Sequence, residues 1–88
     1  MSITEKINIG ELVQSVAGHD KGEYFLVTGM DKEFLYLCNG KSRKADKLKR
    51  KKRKHVIKTG MVCEWVRENP EKLNNKSVRK AISGLIHK

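Results

Sequence analysis

The stretch EYFLVTGMDKEFLYLCNG, Glu23 to Gly40, decides the fold class. Glu23–Met30 is rich in aromatic and β-branched residues, the composition of a strand. Asp31-Lys32 makes a tight connection, and Phe34–Cys38 is a second apolar strand. Asn39-Gly40 then reads as a two-residue hairpin turn in which both positions take positive φ, so the next strand starts at Lys41-Ser42-Arg43. Alternation places Phe25 and Val27 on one face and Tyr24 and Leu26 on the other. Leu35 and Leu37 oppose Phe34 and Tyr36 in the same way.

Working outward, Leu12–Val16 is a strand before this pair, and Gly18-His19-Asp20-Lys21-Gly22 is the turn that joins them. A fifth strand is expected at His55–Lys58, and Met61–Val66 fits either a strand or the start of a helix. Short strands with tight turns form a meander whose edges must close or be covered. The expected fold is therefore mostly β, a small five-stranded β-barrel. Near the C-terminus the period changes. Val78, Ile82, Leu85 and Ile86 share one helical face, and Asn74 or Asn75 can cap it. A C-terminal α-helix near residues 77–87 follows, and so short a helix needs a partner surface, such as an open end of the barrel. The expected organisation is a flexible arm over 1–9, a barrel over 10–58 that includes a basic loop at 41–54, and a C-terminal extension over 59–88.

Eighty-eight residues make at most one domain, with only roughly 60% of the unfolded surface buried on folding and little room for a catalytic cleft. The net charge is +10, and it is unevenly placed. Residues 1–40 hold three lysines against six acids, whereas residues 41–58 hold eleven Lys or Arg against Asp46 alone. Lys49–Lys54 are six consecutive cations. Charge gathered in one segment is the footprint of a polyanionic partner. The plainer reading of such a run is a solvated basic loop, or a nuclear-localisation or heparin patch. Six adjacent like charges make Asp46–Lys54 a segment expected to be mobile in the free protein and ordered on RNA.

Other chemistry finds no support. Cys38 and Cys63 lie 25 positions apart without a CxxC, which excludes a zinc ribbon or a thioredoxin-like pair; both read as buried, reduced thiols of a cytoplasmic protein. His19, His55 and His87 lack ligand spacing, so no metal or other cofactor is expected. No nucleophile motif and no phosphate-cradling glycine loop is present, and the chain reads as no enzyme. No segment has the ~20 apolar residues of a membrane span. Tyr24, Phe25, Phe34, Tyr36 and Trp65 can stack on unpaired bases, although core packing is the commoner use of aromatic residues.

GELVQSVAGHDKGEYFLV, Gly10 to Val27, resembles the KOW motif of ribosomal and transcription-elongation proteins. Gly18, Asp20, Lys21 and Gly22 match its loop, and Gly10, Val13 and Val27 its flanks. CNGKSRKADKLKRKKRKHV, from Cys38, looks like the continuation in bacterial KOW-domain RNA-binding proteins, which are similar to the large-subunit ribosomal proteins of the "fourteen-e" type. Asn39-Gly40-Lys41 matches an Asp-Gly-Lys hairpin, and Lys54-His55 the opening of the last strand. Leu48 stands where that group carries proline, and residues 59–88 carry no resemblance.

The resemblance implies an SH3-like barrel that binds RNA, ribosomal RNA first, with the ribosome or other translation proteins as partners; the chain is further expected to be a monomer. Its contacts would be Lys21, Lys41, Arg43, Lys44, Lys47, Lys49, Arg50, Lys51, Lys52, Arg53, Lys54 and His55. The alternative is a KOW protein-interaction module that docks through Trp65 or the apolar helix face. A third reading is a general polyanion or DNA binder.

Overall fold

The computed structural model describes residues 6–87. Five antiparallel strands form one open sheet: β1 (Glu11–Ser15), β2 (Tyr24–Met30), β3 (Phe34–Cys38), β4 (Lys49–Lys52) and β5 (Val56–Val62). Their order is β4-β3-β2-β1-β5, so β4 and β5 are the edges. One turn of 3-10 helix, Arg53–His55, links the two edges along the chain. Helices α1 (Glu64–Glu68) and α2 (Asn75–Ile86) follow, with a 3-10 turn at Pro70–Lys72 between them. Among the described residues no helix is long and apolar enough to cross a membrane.

Both faces of the sheet are apolar, as the unbroken run from Tyr24 to Val27 requires, and each face holds its own core. One core gathers Ile7, Val13, Phe25, Val27, Leu35 and Leu37. The other gathers Leu12, Leu26 and Cys38 from the strands with Val66, Val78 and Leu85 from the helices. Burying each such side chain contributes roughly 1.5–3 kcal/mol. The C-terminal segment is thus the cover of the second face. The helices lie on this face, where the sequence suggested the end of a barrel.

Several boundaries differ from expectation, each for a physical reason. Ile7 is buried and Ile9 packs beside it, so the end of the supposed arm belongs to the core; residues 1–5 of that arm lie outside the described residues. β5 runs to Val62, past the 10–58 span, because it pairs along the whole of β1, from Glu11↔Val62 to Ser15↔Val56. Met61 and Val62 therefore end a strand, and Cys63 caps the helix that follows. Cys63 is only half-buried, unlike Cys38.

The Asn39-Gly40 turn is corrected. Gly40 alone has positive φ (+76°), and no non-glycine residue described here does. Asn39 instead folds an Asx turn, its Oδ1 accepting the Lys41 and Arg43 amides at 2.9 Å each. The chain does not return at Lys41. It first crosses to α2, where the Ala45 amide donates to Asn75 Oδ1 at 2.8 Å, and pairs with β3 only from Lys49. Gly40 sits against the start of α2: a Cβ there would lie 2.5 Å from the Asn75 carbonyl oxygen.

Helix α2 opens with a capping box. Asn74 Oδ1 accepts the Ser77 amide at 2.8 Å, and Ser77 Oγ accepts the Asn74 amide at 3.1 Å. Val78 and Leu85 are buried, with Ala81 and Ile82 packed beside them. Ala81 takes the place on the buried stripe that the sequence reading gave to Ile86, which stays 43% exposed.

Candidate nucleic-acid interface

The basic run is half strand. Lys49–Lys52 form edge strand β4, in register with β3 through Phe34↔Lys52, Leu35↔Lys51, Tyr36↔Arg50 and Leu37↔Lys49. Cross-strand partners share a face. Lys49 and Lys51 therefore lie on the side of Leu35 and Leu37, toward the first core, while Arg50 and Lys52 lie on the other side with Phe34 and Tyr36. The assignment of residues 41–54 as one loop is thus corrected: its second half is strand β4, followed by a 3-10 turn.

The charge repulsion within the run is relieved from a distance. Lys51 is 8% exposed, and its ammonium donates to Asp20 Oδ1 and to the Ala17 carbonyl, both at 2.8 Å. Ser15 Oγ donates to the same carboxylate oxygen at 2.7 Å. Lys49 lies 3.6 Å from Asp20 Oδ2, an oxygen that accepts no hydrogen bond within the protein. Burial raises the pKa of Asp20, but the hydrogen bonds from Lys51 and Ser15 and the charges of Lys51 and Lys49 outweigh it and hold the carboxyl below its ordinary range. Asp20 in the turn after β1 thus clamps the middle of the run, and Lys51 is committed to the fold.

The rest of the set divides by exposure. Lys41, Arg43, Lys44, Lys47, Arg50, Lys52 and Lys54 are exposed, and among the described residues none of the seven forms an ion pair. Arg50 lies over the Phe34 ring, 4.4 Å from its centre, which fixes the guanidinium as a planar platform. The Arg53 guanidinium is spent on the Asp31 carbonyl, at 2.7 and 3.1 Å. His55 is half-buried, and its carbonyl accepts the Val16 amide. Lys21 is exposed in the turn beside Asp20, separate from the outer face of β4.

That outer face also carries Phe34 and Tyr36, both half-buried. Tyr36 covers Gly29 of the neighbouring strand, its ring carbon 3.6 Å from where a Cβ would stand. Its hydroxyl donates to Asp31 Oδ2 at 2.8 Å, which raises the phenol's pKa and, with the Phe34 amide, lowers that of Asp31. The surface is a strip of two aromatic rings and two cations, continued by the cationic loop Lys41–Lys47. Phosphate contact and base stacking are both within its chemistry. Phe25 is fully buried and takes no part.

Arg79 was not singled out in sequence, where it reads as a solvated helix residue. It reaches back to the Gly40 carbonyl at 2.7 Å and so joins the helix to the basic loop. The signal for it is tertiary: the carbonyls left free when the supposed hairpin opens into a loop. Among the described residues no three His, Cys, Asp or Glu side chains converge as metal ligands do. No protein-family model and no curated protein matches this chain.

Proposed function

We propose that this chain is a non-enzymatic RNA-binding protein. It holds phosphates with Lys41, Arg43, Lys44, Lys47, Arg50, Lys52 and Lys54. The observation that carries the reading is the placement of these seven cations on one edge strand, the loop leading into it and the 3-10 turn that follows it, without ion-pair partners among the described residues.

The resemblance to KOW-type proteins supports the same reading, with ribosomal RNA as the target and the cytoplasm as the place. So does the strand order: five meandering strands with a single 3-10 turn between the last two fit an SH3-like barrel. Structured RNA suits the site better than B-DNA, because nothing here presents a helix or ribbon of base-reading side chains to a major groove. For the interaction-module reading, Val78 and Leu85 are buried within the protein itself, while Trp65 stays 49% exposed.

The test is titration of the intact protein with a ribosomal RNA fragment at several salt concentrations. Seven phosphate contacts set a log–log slope on the order of −5. Micromolar or tighter binding with a slope steeper than about −3 is expected. Salt-independent binding, or none at low salt, defeats the reading.

A further inference from the structure

We propose that the groove between α2 and the start of the basic loop binds one unpaired nucleotide of the RNA. The base lies against Tyr24 and Ile86, and the phosphate lies on Lys41 and Arg79. The inference rests on the RNA-binding reading and adds to it a site for a base.

The groove has a volume of about 340 Å³, within the range of single small-ligand sites. Its apolar wall is Tyr24 with Ile82 and Ile86. Ile82 packs against the second core, but Tyr24 and Ile86 are 36% and 43% exposed, so neither is used up by the fold. Tyr24 is the first residue of β2, paired with Gln14, and its ring is held by the sheet and not by a loop. One aromatic face beside a branched aliphatic side chain suits a flat heterocycle, whose stacking is tolerant of sequence.

Charge decides what the heterocycle is attached to. Lys41 and Arg79 line the groove against one carboxylate, Glu23. Glu23 is partly satisfied already, its Oε1 accepting from Asn39 Nδ2 at 3.3 Å and Ser42 Oγ at 3.2 Å. Arg79 donates one N–H to the Gly40 carbonyl, which fixes the guanidinium while leaving further donors for an anion. A ligand that offers a ring to Tyr24 and a negative charge to Lys41 is a nucleotide. Lys41 also belongs to the basic loop, so a strand whose phosphates follow that loop arrives at the groove. The base must be unpaired, because a paired one presents no free face.

The probe is a short single-stranded RNA with one 2-aminopurine, titrated into wild type and into Tyr24→Ala, Tyr24→Phe and Ile86→Ser, each shown by circular dichroism and melting to be folded. The expected result is a fluorescence change on binding wild type and Tyr24→Phe. Tyr24→Ala should lose about 5- to 150-fold in affinity, the effect of one base stack, with the salt slope unchanged because no phosphate contact is removed. Ile86→Ser should lose affinity in the same direction, and it decides the matter alone if Tyr24→Ala does not fold. Tight, salt-dependent binding with equal affinity in these folded variants overturns the groove and leaves the phosphate-binding reading intact. Absence of binding in wild type at low salt overturns both.

Discussion

Lys51 Nζ donates to Asp20 Oδ1 at 2.8 Å across 31 positions of sequence, joining the centre of the basic run to the turn after β1. Both side chains are largely shielded, at 8% and 12% exposure. In such surroundings the loss of Asp20 leaves the shielded Lys51 ammonium without a counterion, held only by the Ala17 carbonyl. The contact also puts β4 in place, since Lys51 faces Leu35 over the first core while its head reaches outward to Asp20.

Asp20→Ala is therefore expected to destabilise the protein by about 3 kcal/mol, the lower end for breaking a buried pair. Adding Lys51→Met should recover part of that loss, because the orphaned charge leaves with its partner. Urea unfolding of the single and double variants measures both effects. Additive losses would show that the two residues act independently.

The same pair gives stability a pH dependence of definite sign. Asp20 titrates below its ordinary value of 3.8 in the folded protein. The native state therefore binds fewer protons than the unfolded chain as pH falls toward that value. The stabilisation is complete above the unfolded pKa and is lost as pH drops through the lower, folded one. Asp20→Asn should thus be less stable than wild type at pH 6, with the gap closing below about pH 4. Asp31 is also depressed, by the Tyr36 hydroxyl first, but it is present in both proteins and cancels from the difference. A gap of constant size from pH 6 to pH 2.5 in urea midpoints would rule out Asp20 as its source.

Gly40 and Gly22 both have positive φ, at +76° and +92°, yet they differ in surroundings. A Cβ on Gly22 would meet nothing within 4 Å, whereas one on Gly40 would meet the Asn75 carbonyl oxygen and Arg79 Cγ inside 3 Å. Gly22→Ala should cost roughly 1–2 kcal/mol, the left-handed strain alone. Gly40→Ala adds displacement of the start of α2, and its melting temperature should fall at least about 5 °C further. Equal melting temperatures would mean that the helix start yields freely.

The three central strands were legible because alternation and turn residues are local signals. EYFLV and FLYLC carry their faces in the order of their letters, and Phe25, Val27, Leu35 and Leu37 form a core as that order implies. What escaped is tertiary. Near Lys49–Lys54 in sequence stands one acid, Asp46, against six cations, so local charge points to a mobile loop. The neutralising Asp20 lies beyond two intervening strands. Asn39-Gly40 looked like a tight turn because the dipeptide fits one, but Asn75, 30 positions beyond Ala45, draws the following chain away. At the candidate site the identity of the cations was legible; which of them face outward depended on the register of β4.

The two thiols should differ in reactivity. Cys38 is fully buried, and burial pushes its pKa up to about 11. At pH 8 only about one molecule in a thousand would carry the Cys38 thiolate, the form that reacts. Cys63 is partly exposed at the N-terminus of α1. Iodoacetamide at pH 8 should modify Cys63 first, with Cys38 reacting on the timescale of unfolding. Peptide mass mapping distinguishes them, and equal rates in native buffer would contradict the burial of Cys38.

Replacement of exposed cations and of the buried one should separate RNA contact from folding. Lys44, Lys47, Arg50 and Lys52 are exposed and unpaired, so changing all four to Ala should leave the melting temperature within a few degrees of wild type. Up to four phosphate contacts disappear, which flattens the log–log salt slope by about 3 and weakens binding to all RNAs by a similar factor. Lys51→Met makes the opposite pattern. Its ammonium is bound to Asp20 and the Ala17 carbonyl, so stability falls while the salt slope of the protein that remains folded is unchanged. A basic run acting only as undirected charge would count every lysine alike, and Lys51→Met would then flatten the slope by about 0.7 with the others. RNA titrations of the three proteins between low and moderate salt, each paired with a melting curve, supply the comparison. An unchanged slope and affinity in the folded quadruple variant would falsify the assignment of β4 and its preceding loop as the phosphate contact.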